Sequence, residues 1–192
     1  SGFKFQAFAR MSGPRPMWTS QFIKIGTTWA HHIPIKNKWN LSYGLHEVLT
    51  LGDSVPYFDQ SFIGIYQKEF SGLSHELRGY DPYTISGTWI HMSKAELKYS
   101  LIPYQIIRLP WRPLQKKLDT SVGLYLTFFC DIGYVQDRNF TNQDPFLEHQ
   151  LLIGYGPGLN IIGFYDMLMR VELARNHLGE SWIFVNATVP IK

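Results

Sequence analysis

The chain has 192 residues, 45% hydrophobic, 16% aromatic and only 17% charged, with a net charge of +3. So many aromatics exclude a disordered chain, and no run of about eighteen apolar residues is present to cross a membrane as a helix. The scattered 18 basic and 15 acidic residues give no nucleic-acid footprint, which leaves a soluble β-rich domain or a membrane β-barrel that meets lipid only at every second residue.

Along the chain the dominant period is two, the period of a strand. Phe3, Phe5, Ala7, Ala9 and Met11 alternate with Lys4, Gln6 and Arg10, until Gly13-Pro14-Arg15-Pro16 breaks the pattern. Ile23, Ile25, Thr27, Trp29, His31 and Ile33 share the face of a second strand, and the polar run 35–38 forms the hairpin turn after it. A third strand sets Trp39, Leu41, Tyr43, Leu45 and Leu49 against Asn40, Ser42, Gly44, His46 and Thr50. Residues 52–87 then lose the rhythm, and a loop of that length in a compact domain is usually functional or disordered. Its aromatic content favours function.

Alternation returns over 88–101, with Trp89, Ala95, Leu97, Tyr99 and Leu101 opposite Lys94, Glu96, Lys98 and Ser100. A proline-containing, basic connection is expected over 103–117. The next strand sets Val122, Leu124, Leu126, Phe128, Cys130, Ile132 and Tyr134 against Gly123, Thr127, Asp131 and Gly133. A second long loop over 136–150 precedes strands at 151–162, 166–176 and 181–191. In the 166–176 strand Met167, Met169, Val171 and Leu173 face away from Arg170, Glu172 and Asn176. About eight strands result, several of ten to fourteen residues. Tilted membrane strands need about nine to eleven, whereas soluble ones average five to six. Long and short connections alternate, as in an outer-membrane barrel. Phe22, Trp39, Trp89, Tyr99, Tyr134 and Trp182 near strand ends suit an aromatic girdle. A soluble lipocalin-like barrel would show the same alternation.

No residue set reads as catalytic. His31 and His32 are adjacent on a strand, point to opposite faces and cannot share a metal. Gly154-Tyr155-Gly156-Pro157-Gly158 lacks the Lys-Ser/Thr ending of a phosphate loop. Cys130 forms no internal disulfide, and its place on an apolar face argues for packing rather than reactivity. Ser, His and Asp occur without a nucleophile elbow. No metal, cofactor or enzymatic activity is expected. More informative are Glu96 and Asp131, polar-side residues of consecutive strands that a hairpin can bring onto one wall. Two carboxylates in a partly dehydrated interior need a cation. The long loop supplies one in Glu76-Leu77-Arg78-Gly79-Tyr80, where arginine offers a bidentate fork and glycine a sharp turn.

Leu77-Arg78-Gly79-Tyr80 resembles the (V/I/L)RG(F/Y) signature of the BamA/TamA-type outer-membrane insertases, a superfamily that includes two-partner-secretion transporters. Residues 55–62 (Val-Pro-Tyr-Phe-Asp-Gln-Ser-Phe) are similar to the PFYERF segment before that loop, and 95–99 to the glutamate-bearing strand after it. Residues 128–135 are similar to the next strand, FxDxGxV, and motif order and separation agree over 55–135. The resemblance implies an all-β transmembrane antiparallel barrel, of which 1–192 would be the C-terminal half, strands nine to sixteen of sixteen. It implies that the 52–87 loop folds into the lumen and that Arg78 meets Glu96 and Asp131, with Gly133 beside them. The last strand, with Trp182, Phe184, Asn186 and Pro190, would form a lateral gate that templates client strands. Implied partners are client outer-membrane proteins, the lipid bilayer and accessory periplasmic or lipoprotein subunits, with no nucleic acid and no cofactor. The implied location is the outer membrane of a Gram-negative bacterium. A start at Ser1-Gly2-Phe3, straight into a strand pattern, adds the expectation of a longer protein. Two features depart from the family: the chain ends Val189-Pro190-Ile191-Lys192 rather than on an aromatic residue, and the first eight strands and any POTRA domain lie outside it. Other functions open at this level are a secretion pore, a barrel anchor for a fused hydrolase, and a passive porin.

Overall fold

The computed structural model describes residues 1–12, 21–52, 55, 59–63, 76–80, 83–110, 117–137, 147–163 and 166–188. Ten strands follow in order: β1 (Gly2–Ser12), β2 (Phe22–Lys36), β3 (Trp39–Gly52), β4 (Ser61–Ile63), β5 (Ile85–Gly87), β6 (Trp89–Pro110), β7 (Lys117–Gln136), β8 (Leu151–Gly163), β9 (Met167–Asn176) and β10 (Ser181–Thr188). No α-helix occurs among the described residues. Eight strands form one antiparallel sheet in the order β1-β2-β3-β6-β7-β8-β9-β10, and it does not close, so β1 and β10 are its edges. β4 and β5 pair separately, within the segment between β3 and β6.

Alternation fixes which side chains share a face, and the two faces invert the usual order. One face is covered by the β3–β6 segment. It buries Lys24, Thr28, His46, Thr50, Ser100, Thr127, Asp131, Asn160, Glu172 and Asn176. The other face is uncovered and carries Phe3, Phe5, Ile23, Ile25, Phe128, Tyr155, Leu173, Ile183 and Val185, of which Phe128 is 48% exposed. A sheet in water buries the apolar set instead. The apolar core that does exist lies between the covering segment and the sheet, where Ile63, Leu77, Tyr80 and Ile85 meet Val48, Ile90, Met92, Val135 and Leu152.

The strand connections are unequal. One end of the sheet has the connections 13–21, 53–88, 137–150 and 177–180, while the other has 37–38, 111–116 and 164–166. The β2–β3 turn places Asn37 at φ 46°, a left-handed conformation that asparagine tolerates.

Several expectations need correction. The 103–117 stretch is not a connection, because β6 runs through Pro110 and β7 starts at Lys117. Prolines are tolerated there because β6 has left its β3 neighbour by Tyr99 and is an edge, and register shifts near Pro103 absorb the ring. The 52–87 loop contains the β4–β5 pair, so the chain has more strands than the eight of its main sheet. Phe22 does not join an outer girdle but is buried on the covered face. Of the expected girdle residues, Trp39 pairs with Tyr99 and Trp89 with Tyr134 on the outward face, at centroid distances of 4.7 and 5.5 Å. Cys130 does lie on the apolar face, but exposed rather than packed.

Candidate functional site

The site begins with a tight turn. Leu77-Arg78-Gly79-Tyr80 closes through the Tyr80 amide donating to the Leu77 carbonyl at 3.0 Å. Gly79 sits at φ 92°, the positive value that the third residue of a type II turn requires and that a side chain would oppose. Leu77 and Tyr80, both fully buried, point the turn's apolar sides into the core. Burial of this kind contributes roughly 1.5–3 kcal/mol per large side chain.

Between these anchors Arg78 meets three carboxylates from three strands. Its Nε donates to Asp131 Oδ2 at 2.7 Å and its Nη2 to Oδ1 at 2.6 Å, a bidentate fork. Its backbone amide adds a longer contact to Asp131 at 3.4 Å. Nη1 donates to Glu172 Oε1 at 2.9 Å and to Glu96 Oε2 at 3.2 Å. The ring of Phe129 lies 3.8 Å below the guanidinium, a cation–π contact on a side that carboxylates leave open. Asp131 is 0% exposed and Glu172 2%, so these charges are largely out of water. Further cations flank the cluster: Lys98 Nζ lies 3.1 Å from Glu96, Arg170 Nε 3.9 Å from Glu172, and Lys94 stands opposite Asp131 in the β6–β7 register. Burial acts against charge on Arg78. The Asp131 hydrogen bond and the fields of Asp131, Glu172 and Glu96 outweigh it and hold the pKa above the usual arginine range. Arg78 therefore stays cationic at every working pH.

The sheet is shaped to receive the turn. A Cβ on Gly154 would collide with the Arg78 carbonyl oxygen, and one on Gly133 would sit 2.9 Å from Leu77 Cδ2. Beyond the arginine the segment is tied to the last hairpin. Asn176 Nδ2 donates to the Gly79 carbonyl at 3.0 Å, and the Tyr80 hydroxyl bonds with Nδ1 of His177 and accepts from the Ile153 amide at 3.1 Å. The Tyr83 hydroxyl donates to Glu180 at 2.9 Å. At the opposite edge, Arg10 of β1 pairs with Asp59 at 2.8 Å, and Lys24 reaches the Asp59 carbonyl at 3.4 Å. The covering segment thus touches the edge strand β1 on one side and β9 with the β9–β10 turn on the other.

No family model, curated protein or solved structure matches this chain. Leu77, Arg78, Gly79, Tyr80, Glu96, Asp131 and Gly133 lie together. Trp182, Phe184 and Asn186 lie on β10, opposite Ala174, Glu172 and Arg170 of β9. That places them beside the cluster's outer members but without a place in it. Pro190 lies outside the described residues. Glu172, Asn176, His177, Glu180 and Tyr83 are further members of the site. Glu172 carried a signal, since its polar-side position on the 166–176 strand was legible. Asn176 carried the same signal on that strand, whereas Tyr83, His177 and Glu180 lie outside the strands, where no periodicity operates. No group of three His, Cys, Asp or Glu side chains forms a metal cluster among the described residues.

Proposed function

We propose that this chain is the C-terminal half of a BamA/TamA-type outer-membrane barrel that assists the insertion of client β-barrel proteins. The observation that carries this reading is the seating of the Leu77-Arg78-Gly79-Tyr80 turn, inside a polar wall, on Asp131, Glu96 and Glu172. The inverted faces support it. An apolar face turned outward and a charged face turned inward are favourable when lipid lies on one side and a hydrated lumen on the other. One edge supports it as well. β10 has one neighbour in this sheet and, as the gate strand of this reading, would offer backbone groups to an incoming strand, the chemistry of β-augmentation. A passive pore is disfavoured by the segment that occupies the polar face, tied to it by buried ion pairs rather than lying loose. No nucleotide, metal or catalytic group is assigned a role. Client folding and burial in lipid would supply the driving force.

The test uses the full-length protein reconstituted in liposomes with an unfolded outer-membrane protein as client. Accelerated client folding, lost in Arg78→Ala while the variant still inserts, supports insertion. Folding no faster than in empty liposomes, together with large steady conductance unaffected by Arg78→Ala, would assign a passive pore instead.

A further inference from the structure

The β6–β7 hairpin is longer than its surroundings. Pairing of β3 with β6 ends at Trp39 and Tyr99, and pairing of β7 with β8 begins only at Gly123 and Ile162. The two central strands nevertheless stay paired to Pro110 and Lys117. At roughly 3.3 Å per residue, the ten or so residues of β6 beyond Tyr99 form an arm on the order of 30 Å long. It projects at the end of the sheet that has the short connections. Its root is fixed: Tyr104 OH donates to Asp166 at 2.8 Å and its amide to Tyr125 OH at 3.1 Å, while Ser121 Oγ donates to the Gly163 carbonyl at 2.9 Å. Register shifts between Ser100 and Gln105 bend the arm at that root.

Its surface is apolar. Leu101, Ile102, Tyr104, Ile106 and Ile107 are all exposed, Ile106 at 62%, and the consecutive pairs 101–102 and 106–107 put apolar groups on both faces. An exposed apolar patch of this kind marks an interaction site. Its charge is one-signed: from Ser100 to Leu118 the charged residues are Arg108, Arg112, Lys116 and Lys117, and the first acid is Asp119, opposite Arg108. Of the cations, Arg108 and Lys117 lie in the described strands.

We propose that this arm docks on a surface of anionic phospholipid. The inference rests on the barrel reading above, which makes the uncovered face of the sheet a lipid face. Ile102, opposite Leu124 of β7, continues that face beyond the outward Trp39–Tyr99 pair, so the arm's apolar side chains extend the same contact. Apolar side chains enter the boundary between headgroups and acyl chains, Tyr104 suits the interface, and the positive charge of the hairpin's sequence favours an anionic surface. Backbone pairing with a partner strand is a poorer match. Pro103 and Pro110 lack donors, and the Tyr104 amide is already engaged by Tyr125.

The experiment places an environment-sensitive fluorophore on Ile106→Cys in full-length protein that also carries Cys130→Ser, reconstituted in phosphatidylcholine or in an equal mixture with phosphatidylglycerol. A second protein labelled at Phe128→Cys reports insertion of the sheet itself. The expected result is blue-shifted emission and quenching by nitroxide-bearing lipids at Ile106 in the anionic vesicles, weaker in phosphatidylcholine and weakened by salt. Arg108→Glu with Lys117→Glu should reduce the lipid-contacting population at least about tenfold, given roughly fivefold per cation near such a surface. Water-like emission at Ile106 in both vesicles overturns the proposal. So does protection from aqueous iodide without lipid quenching, which assigns the arm to a protein partner or to the remainder of the chain. In either case quenching at Phe128 leaves the barrel reading standing, and its absence removes both.

Discussion

Arg78→Ala removes the one cation that touches all three carboxylates of the site. Asp131 loses a bidentate partner at 2.6 and 2.7 Å, and Glu172 loses its shortest contact, leaving Arg170 at 3.9 Å. Glu96 keeps Lys98 at 3.1 Å and is affected least. Taking one partner from a buried pair costs about 3–5 kcal/mol, and loss of the Phe129 contact adds about 1–2 kcal/mol at a desolvated site. Even the lower figure alone shifts docking of the turn by about a hundredfold, since each 1.4 kcal/mol is tenfold. The loss should be local, because the apolar anchors Leu77 and Tyr80 and the eight-stranded ladder persist. Hydrogen exchange is therefore the assay. Amides at residues 76–80 should exchange about a hundredfold faster or more, while the β7 and β8 ladder stays protected. Arg78→Lys keeps the charge but loses the fork, and should fall between the two. Unchanged protection at 76–80 in Arg78→Ala would refute the idea that the cluster holds the turn.

Gly154→Ala should undock the same turn without touching a charge, because the new methyl occupies the place of the Arg78 carbonyl. An overpacking cost of about 1–3 kcal/mol is expected in the same exchange assay, whereas Gly163→Ala, with open space around its Cβ, should be silent. Burial raises the pKa of Tyr80, and the Glu180 hydrogen bond together with burial raises that of Tyr83. A raised pKa stabilises the fold below the unfolded value, near 10 for tyrosine, and that contribution is lost as pH rises through the folded value. Protease resistance of the covering segment should thus be flat from neutral to mildly alkaline pH and fall only above the ordinary tyrosine range. A fall near neutrality would contradict this. Asp59→Asn breaks a pair whose arginine, Arg10, is 62% exposed, so a cost of about 1 kcal/mol or less is expected. It should appear as faster amide exchange in β1 alone.

Period-two alternation is a strong signal when the two faces of a sheet differ in character, and here it identified the strands of the main sheet, their faces and the side of the sheet on which Glu96, Asp131 and Arg78 meet. Glu172 was legible as a polar-side residue, but nothing local says that a strand more than ninety residues from Arg78 curves back to it. The β6–β7 arm was illegible for the opposite reason. Pro103, Pro110 and the nearby cations are loop signals wherever strands have two neighbours, and only pairing shows that this stretch has lost one. The Gly154-Tyr155-Gly156-Pro157-Gly158 run looked like a weak phosphate loop. Its glycines lie in β8, where Gly154 admits the Arg78 carbonyl and Gly158 lies under Thr127 Oγ1 and the Glu172 side chain. The β4–β5 pair is three residues long on each side, too short for any period to emerge.

The central claim is that the uncovered face meets lipid while the covered face carries the docked segment. Alternate residues of β7 test it directly. Single fluorophores at positions 127 to 132, with Cys130 as the native attachment point and Cys130→Ser as background for the others, are reconstituted in bilayers containing brominated lipid. Strong quenching at Phe128, Cys130 and Ile132, with little at Thr127, Phe129 and Asp131, is the expected result. Uniform quenching along the strand, or none at any position, would contradict it.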